Sequence, residues 1–223
     1  MHDITLRAVW ASSVDESPVT VLDPIVVALC LPRYQSANMT THVIHFTGNI
    51  HQGSALQLQD VSLQALAQGA TEIRYHVTTD GGSTMLGFWL FNFIRSLPVP
   101  VTIHNTGNIE SMGIILFLAA DRRIAAPHSR FLLHPLNWGF PNGSRLDHAR
   151  LNEHSLSLDN DFDRYVSIFD ERTAGAAQKT DIRACLKNTA RVLTAEDAVS
   201  ANLATEIGDV VLSPDSIRWW ITV

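Results

Sequence analysis

From residue 42 onward, short apolar runs with strand character alternate with helical stretches, and the joins between them are short. That alternation restricts the chain more than any other feature. Strands that recur after helical crossovers pair in parallel, and the crossovers are right-handed, so the pattern predicts an α/β domain built of βαβ units around a largely parallel sheet. The expected strands are 43–46, 72–78, 99–104, 124–126 and 131–134. The first ends at Thr47, Gly48 and Asn49, a turn signal. The expected helices are 54–67 (closed by Gly69), 83–97 (stopped by Pro98), 112–120, 144–171, 181–188 and 194–203. The last opens with Thr194 followed by Glu196 and Asp197, an N-cap with acids in the first turn.

Residues 1–38 break the pattern. Pro18, Pro24 and Pro32 punctuate short apolar runs, which reads as an N-terminal appendage of strands or a hairpin. The remainder, 39–223, is one domain by length. The stretch 144–171 is too long and too polar for a core helix, yet Leu146, Ala149, Phe162, Tyr165 and Phe169 give it an apolar stripe. A projecting helix, packed on a neighbouring subunit or on its own domain, fits that mixture.

Composition removes several classes of function. Hydrophobic residues are 46% and charged residues 17%, a folded rather than a disordered chain. The formal net charge is −6 with no Lys/Arg cluster, so no nucleic-acid partner is expected. The apolar runs 25–31 and 113–120 are too short to span a bilayer, and no secretory signal is evident, so neither membrane nor export is expected. Cys30 and Cys185 are the two cysteines. They form neither a disulfide framework nor a zinc-site spacing, which suits a reducing, cytoplasmic setting.

Three clusters carry candidate chemistry. Asp80, Gly81, Gly82 and Ser83 lie between a strand and an apolar helix, where paired glycines allow a tight turn and let backbone N–H groups face a ligand. Taken alone, such a turn is more often structural. Glu110, Ser111, Met112 and Gly113 lie at a second strand-to-helix junction. A serine there is usually an N-cap, but a nucleophilic serine favours the same place, because the helix N-terminus stabilises an oxyanion. His134 ends an apolar strand just before Pro135, and with ten histidines in the chain each one alone means little.

In combination the clusters are more specific. Their order and spacing, together with Arg130 four residues before His134, resemble the Clp proteolytic-subunit family, within the wider crotonase-like superfamily. The resemblance runs from about Val43 to Asp209. It implies a crotonase-like parallel-sheet core with a projecting handle at 136–171, made of a Gly-rich strand and the long helix. It implies Ser111 as nucleophile, His134 as base, and an oxyanion hole of the Gly82 and Met112 N–H groups. It also implies a homo-oligomeric ring of seven, stacked in pairs, that cleaves unfolded polypeptide fed in by a hexameric ATPase unfoldase. No metal and no organic cofactor are implied. ATP would be used by the unfoldase alone, and this chain has no Walker-type loop.

The sequence departs from the family pattern at several places: Asp80 stands where the family's oxyanion loop has proline, and the family's Asp-Arg pairs that help clamp two rings together are missing. Where the family has its third catalytic residue, an aspartate, this chain has Ala190. Asn188 is the nearest group that could orient an imidazole, and Asp181 would serve only on a different loop path. Glu110 replaces a small residue beside the nucleophile, and Pro141 interrupts the handle strand. Asn202 stands where glycine is usual. These departures keep a second reading open, a catalytically impaired structural or regulatory ring subunit. A crotonase-like acyl-CoA enzyme would share the oxyanion hole, but the Ser-Met-Gly and His-Pro pairings argue against it.

Overall fold

The structure, a computed structural model, describes residues 40–137, 139, 145 and 147–222. The expected appendage 1–38, Cys30, Pro141 and most of the expected handle strand lie outside the described residues.

Among the described residues eight strands form one sheet, and every pair is parallel but one. In chain order the elements begin with β1 (Thr41–Thr47), α1 (Gln52–Ala67), β2 (Glu72–Thr79), α2 (Thr84–Arg95), β3 (Val101–Glu110) and α3 (Met112–Leu118). There follow β4 (Arg122–Ala125), β5 (Arg130–Leu133), α4 (His148–Arg172) and α5 (Ile182–Lys187). The chain closes with β6 (Arg191–Thr194), α6 (Ala195–Ser200), β7 (Glu206–Ile207) and β8 (Ile217–Ile221). The main order is β6-β5-β3-β2-β1-β8, with β4 on β3 and β7 on β4. The expected α/β class, parallel core and long polar helix are all present.

β3 runs ten residues, well past the expected end at 104, because it serves two neighbours. Residues 102–105 pair with β4, and 108–110 pair with β5. The strand forks at Asn105, which is fully buried. Its amide nitrogen donates to the Arg130 carbonyl at 3.0 Å and its amide oxygen accepts from Gly107 N–H at 3.0 Å. The side chain thus satisfies backbone groups that the fork leaves without ladder partners. The second branch delivers the chain directly into Ser111.

All seven residues of α3 are buried. A helix apolar on every side belongs at the centre of a core, and here it packs among β3, α2 and α4. The long helix starts at His148 rather than 144, because Asp147 caps it by accepting from Arg150 N–H at 2.8 Å. Its 25 residues span about 38 Å. Tyr165, Val166 and Phe169, at its C-terminal end, are buried in the same core as α3. The apolar stripe therefore finds its partner within the domain there, while Leu151 and Leu156 nearer the start are exposed.

Asn202 follows α6 with φ +50°, a left-handed conformation, which accounts for glycine being usual there. Asparagine tolerates it, and its side chain donates to the Ala174 carbonyl at 2.7 Å. The strands β6, β7 and β8 were not among the expected elements. β8 docks on the edge of β1, where Trp219 stacks on His42 and Trp220 on His45.

Candidate active site

The parallel sheet brings the candidate residues to the C-terminal ends of adjacent strands, the usual place for a site in an open α/β fold. β3 ends at Glu110, which pairs with Leu132 of β5. The Ser111 N–H then donates to the Leu132 carbonyl at 3.0 Å. His134 leaves β5 two residues later, so the two side chains emerge from the ends of neighbouring strands. Both are partly exposed.

Ser111 occupies the N-cap position of α3, but it does not cap. Its side chain accepts no hydrogen bond from the helix, and its backbone has φ +53° and ψ −124°. Ser83, Asp147, Asp181 and Thr194 do cap their helices with side-chain oxygens. A positive φ in a residue with a Cβ costs of order 1–3 kcal/mol and persists only when its surroundings impose it. Such a turn lifts a serine Oγ clear of the helix end, as in strand-to-helix nucleophile turns.

The Gly81–Gly82 loop lies directly against this turn. A Cβ on Gly81 would meet the Ser111 Cβ at 2.7 Å and the Met112 nitrogen at 3.0 Å. Gly82 has φ +146° and forms a parallel bridge to Ile50. Ile50 makes both bonds of that bridge, donating to the Gly81 carbonyl at 2.7 Å and accepting from Ser83 N–H at 2.9 Å. In parallel pairing the middle residue's own groups point the other way, so the Gly82 N–H faces away from Ile50. Neither Gly82 N–H nor Met112 N–H has a hydrogen-bond partner among the described residues. Met112 N–H is also one of the N-terminal donors that a helix leaves open.

His134 Nδ1 lies 2.9 Å from the carbonyl oxygen of Pro135. A carbonyl only accepts, so Nδ1 carries the proton and the neutral ring presents Nε2 as a base. No hydrogen bond joins Ser111 Oγ to His134 in this conformation. Asn188, the third member expected from sequence, is the exposed C-cap of α5, its backbone N–H donates to the Ala184 carbonyl, and among the described residues no hydrogen bond joins it to His134. Asp181 caps α5 by accepting from Ala184 N–H at 3.0 Å. The group behind His134 is thus a main-chain carbonyl.

Glu110 does not act as a free charge beside the site. Its carboxylate takes a 2.7 Å bond from Arg130 and is largely buried. One contact had no signal in the sequence: the Tyr165 hydroxyl, from α4, donates to the Ser111 carbonyl at 3.0 Å.

Comparison with known proteins shows the family and the fold. A family model described as Clp protease matches residues 33–210. The ATP-dependent Clp protease proteolytic subunit 1 of Protochlamydia amoebophila is 32% identical over 119 residues, 52% of this chain and 58% of that one. The protein of the same name from Chlamydia pneumoniae is 35% identical over 104 residues, covering 45% and 53%. The chain spans about half the length of the curated relatives it matches. Among solved structures, a ClpP1 mutant from Listeria monocytogenes shares the fold, with a TM-score of 0.62 and 20% identity over 77% of this chain and 92% of that one. With the family match covering most of its length and the fold shared, the chain belongs to the Clp protease family.

Proposed function

We propose that the chain is a serine-type endopeptidase subunit that hydrolyses peptide bonds of unfolded polypeptides. The observation that carries this reading is Ser111: a serine at a helix start whose hydroxyl is not engaged in capping and whose backbone is held in a strained turn. In this reading Ser111 Oγ attacks the scissile carbonyl while His134 Nε2 takes its proton. The carbonyl oxygen becomes an oxyanion held by the Gly82 and Met112 N–H groups. The C–N bond then breaks, His134 passes the proton to the leaving amine, and an acyl ester remains on Ser111. Water, deprotonated by the same imidazole, attacks the ester and frees the acid. This chemistry draws on no metal or organic cofactor.

Family membership extends the proposal to assembly and partners: a homo-oligomeric ring, seven-membered and stacked, fed by a hexameric ATPase unfoldase, working in the cytoplasm. Among the described residues no helix is long and apolar enough to cross a membrane. A second reading, a ring subunit that is catalytically impaired, draws on the lack, among the described residues, of any side-chain carboxylate hydrogen-bonded to His134.

A fluorophosphonate probe separates the two readings. The assembled wild-type protein is expected to label, and Ser111→Ala to abolish labelling. No labelling of an assembled wild type, or labelling that survives Ser111→Ala, overturns the peptidase reading.

A further inference from the structure

Tyr165 is 1% exposed and sits at the C-terminal end of the long helix α4, 54 residues from Ser111 in sequence. Its hydroxyl donates to the Ser111 carbonyl at 3.0 Å. The same carbonyl accepts from Ile114 N–H at 3.0 Å, so both of its lone pairs are used. That carbonyl belongs to the peptide unit whose other end is the Met112 N–H. A trans peptide is planar, with its C=O and N–H pointing in opposite directions. Fixing the oxygen from inside the core therefore aims the nitrogen's hydrogen outward. A donor on the oxygen also polarises the unit and makes the N–H a stronger donor. Burial pushes the phenol well above its ordinary pKa, so it stays protonated and able to donate.

We propose that Tyr165 is a positioning residue for catalysis: by holding the Ser111 carbonyl, it orients and strengthens the Met112 N–H as an oxyanion donor. The handle helix is thereby tied to the reacting centre through one hydroxyl. An apolar residue of similar size would fill the same space without fixing the peptide. This inference rests on the peptidase reading, and its test separates the two.

The test is the rate of fluorophosphonate labelling of the assembled protein, with kcat, KM and boronate inhibition measured on a fluorogenic peptide. Tyr165→Phe keeps the ring and removes the hydroxyl. Tyr75→Phe is the control: Tyr75 is equally buried, its hydroxyl shares a 2.8 Å bond with Ser62, and it lies away from the site. Tyr165→Phe is expected to slow labelling and lower kcat by about tenfold, less than outright loss of an oxyanion donor, with KM little changed. The affinity of a peptide boronate, whose tetrahedral adduct places an oxygen in the hole, should fall in step with kcat. Tyr75→Phe should lower the melting temperature while leaving the labelling rate unchanged. A Tyr165→Phe protein that labels at the wild-type rate overturns the inference, as does a fall in kcat without any change in boronate affinity. If Tyr165→Phe does not assemble, Tyr165→Met, which refills the space without a donor, is measured against the same outcomes. Wild-type protein that never labels removes the peptidase reading and this inference together, whereas labelling that is indifferent to Tyr165 removes the inference alone.

Discussion

Ser111 is fixed by four separate parts of the chain, and His134 by its own neighbour. Around Ser111, β5 takes the N–H, α3 and α4 both donate to the carbonyl, and the Gly81 loop presses on the Cβ side. Around His134 the hydrogen bond is the local one to the Pro135 carbonyl. The nucleophile turn is strained and over-determined, so its geometry does not depend on substrate. The imidazole is held by a contact that forms within one residue and that leaves the ring off Ser111 Oγ. Under the peptidase proposal the oxyanion side is the built half of the site, and the orientation of the base is the less fixed one.

The largest effect is expected on the built side. Gly82→Ala would set a Cβ 2.2 Å from the Ile50 carbonyl oxygen, at a φ of +146°. The bridge to Ile50 would have to open, at a cost above about 2 kcal/mol, and the Gly82 N–H would turn with it. Labelling of Ser111 should be lost even in protein that remains folded. A Gly82→Ala protein that labels normally would show that this loop does not shape the oxyanion side.

The next effect belongs to the sheet rather than to either half of the site. His45, His76 and His104 stand side by side on β1, β2 and β3, with ring centroids 5.0 and 5.5 Å apart. Burial first, then His45, His104 and Arg74, pushes His76 down to about 4. His42, His45 and His104 are also held below their ordinary values, chiefly by burial. Unfolded histidines titrate near 6.5, so between pH 6.5 and 4 the unfolded chain binds more protons than the folded one. Stability is full above about pH 6.5 and falls as the pH drops, by up to about 1.4 kcal/mol per pH unit for His76 alone. Melting curves across this range should show the loss, and His76→Gln should flatten it. An unchanged acid limb in that variant would place the sensitivity elsewhere, with His42, His45 and His104 as the next candidates.

The contrast between the two halves also explains what the sequence made legible. Ser111, Met112, Gly82 and His134 stand in short motifs at strand ends, and a strand-to-helix junction announces itself through local turn chemistry. The parallel sheet followed from alternation alone. The fork in β3 did not, because it depends on one buried asparagine whose partners come from another strand. Tyr165 was legible as part of an apolar stripe, but its hydroxyl has a partner that no periodicity reveals. Asn188 was chosen as the nearest polar side chain, and folding turned it into an exposed helix cap. β8 escaped because its five residues pair with β1, about 175 positions earlier in the chain.

The smallest effect expected, and the one that sharpens the comparison most, is a gain. The antiparallel ladder between β5 and β6 ends with Leu133 opposite Arg191. One further step of that register would set Ala190 opposite His134. Side chains directly opposite in an antiparallel pair point the same way, with Cβ atoms about 5 Å apart. An aspartate is long enough to close that gap, and Ala190 is exposed, so Ala190→Asp requires no repacking. The introduced carboxylate would compete with the Pro135 carbonyl for Nδ1–H. It has two advantages: it can draw the ring toward Ser111, and its charge stabilises the imidazolium that forms when the nucleophile is deprotonated. Losing the aspartate of a serine protease triad costs about 10⁴-fold. Here the tautomer is already correct, so only the charge and the orientation remain to be gained, and the expected rise in kcat is about tenfold. The measurement is peptide turnover by assembled protein, with Ser111→Ala in the same background to show that any gain passes through the nucleophile. A variant that folds and assembles but turns over no faster would mean that the carbonyl already orients His134 as well as a carboxylate can, and the two halves of the site would then be equally well built.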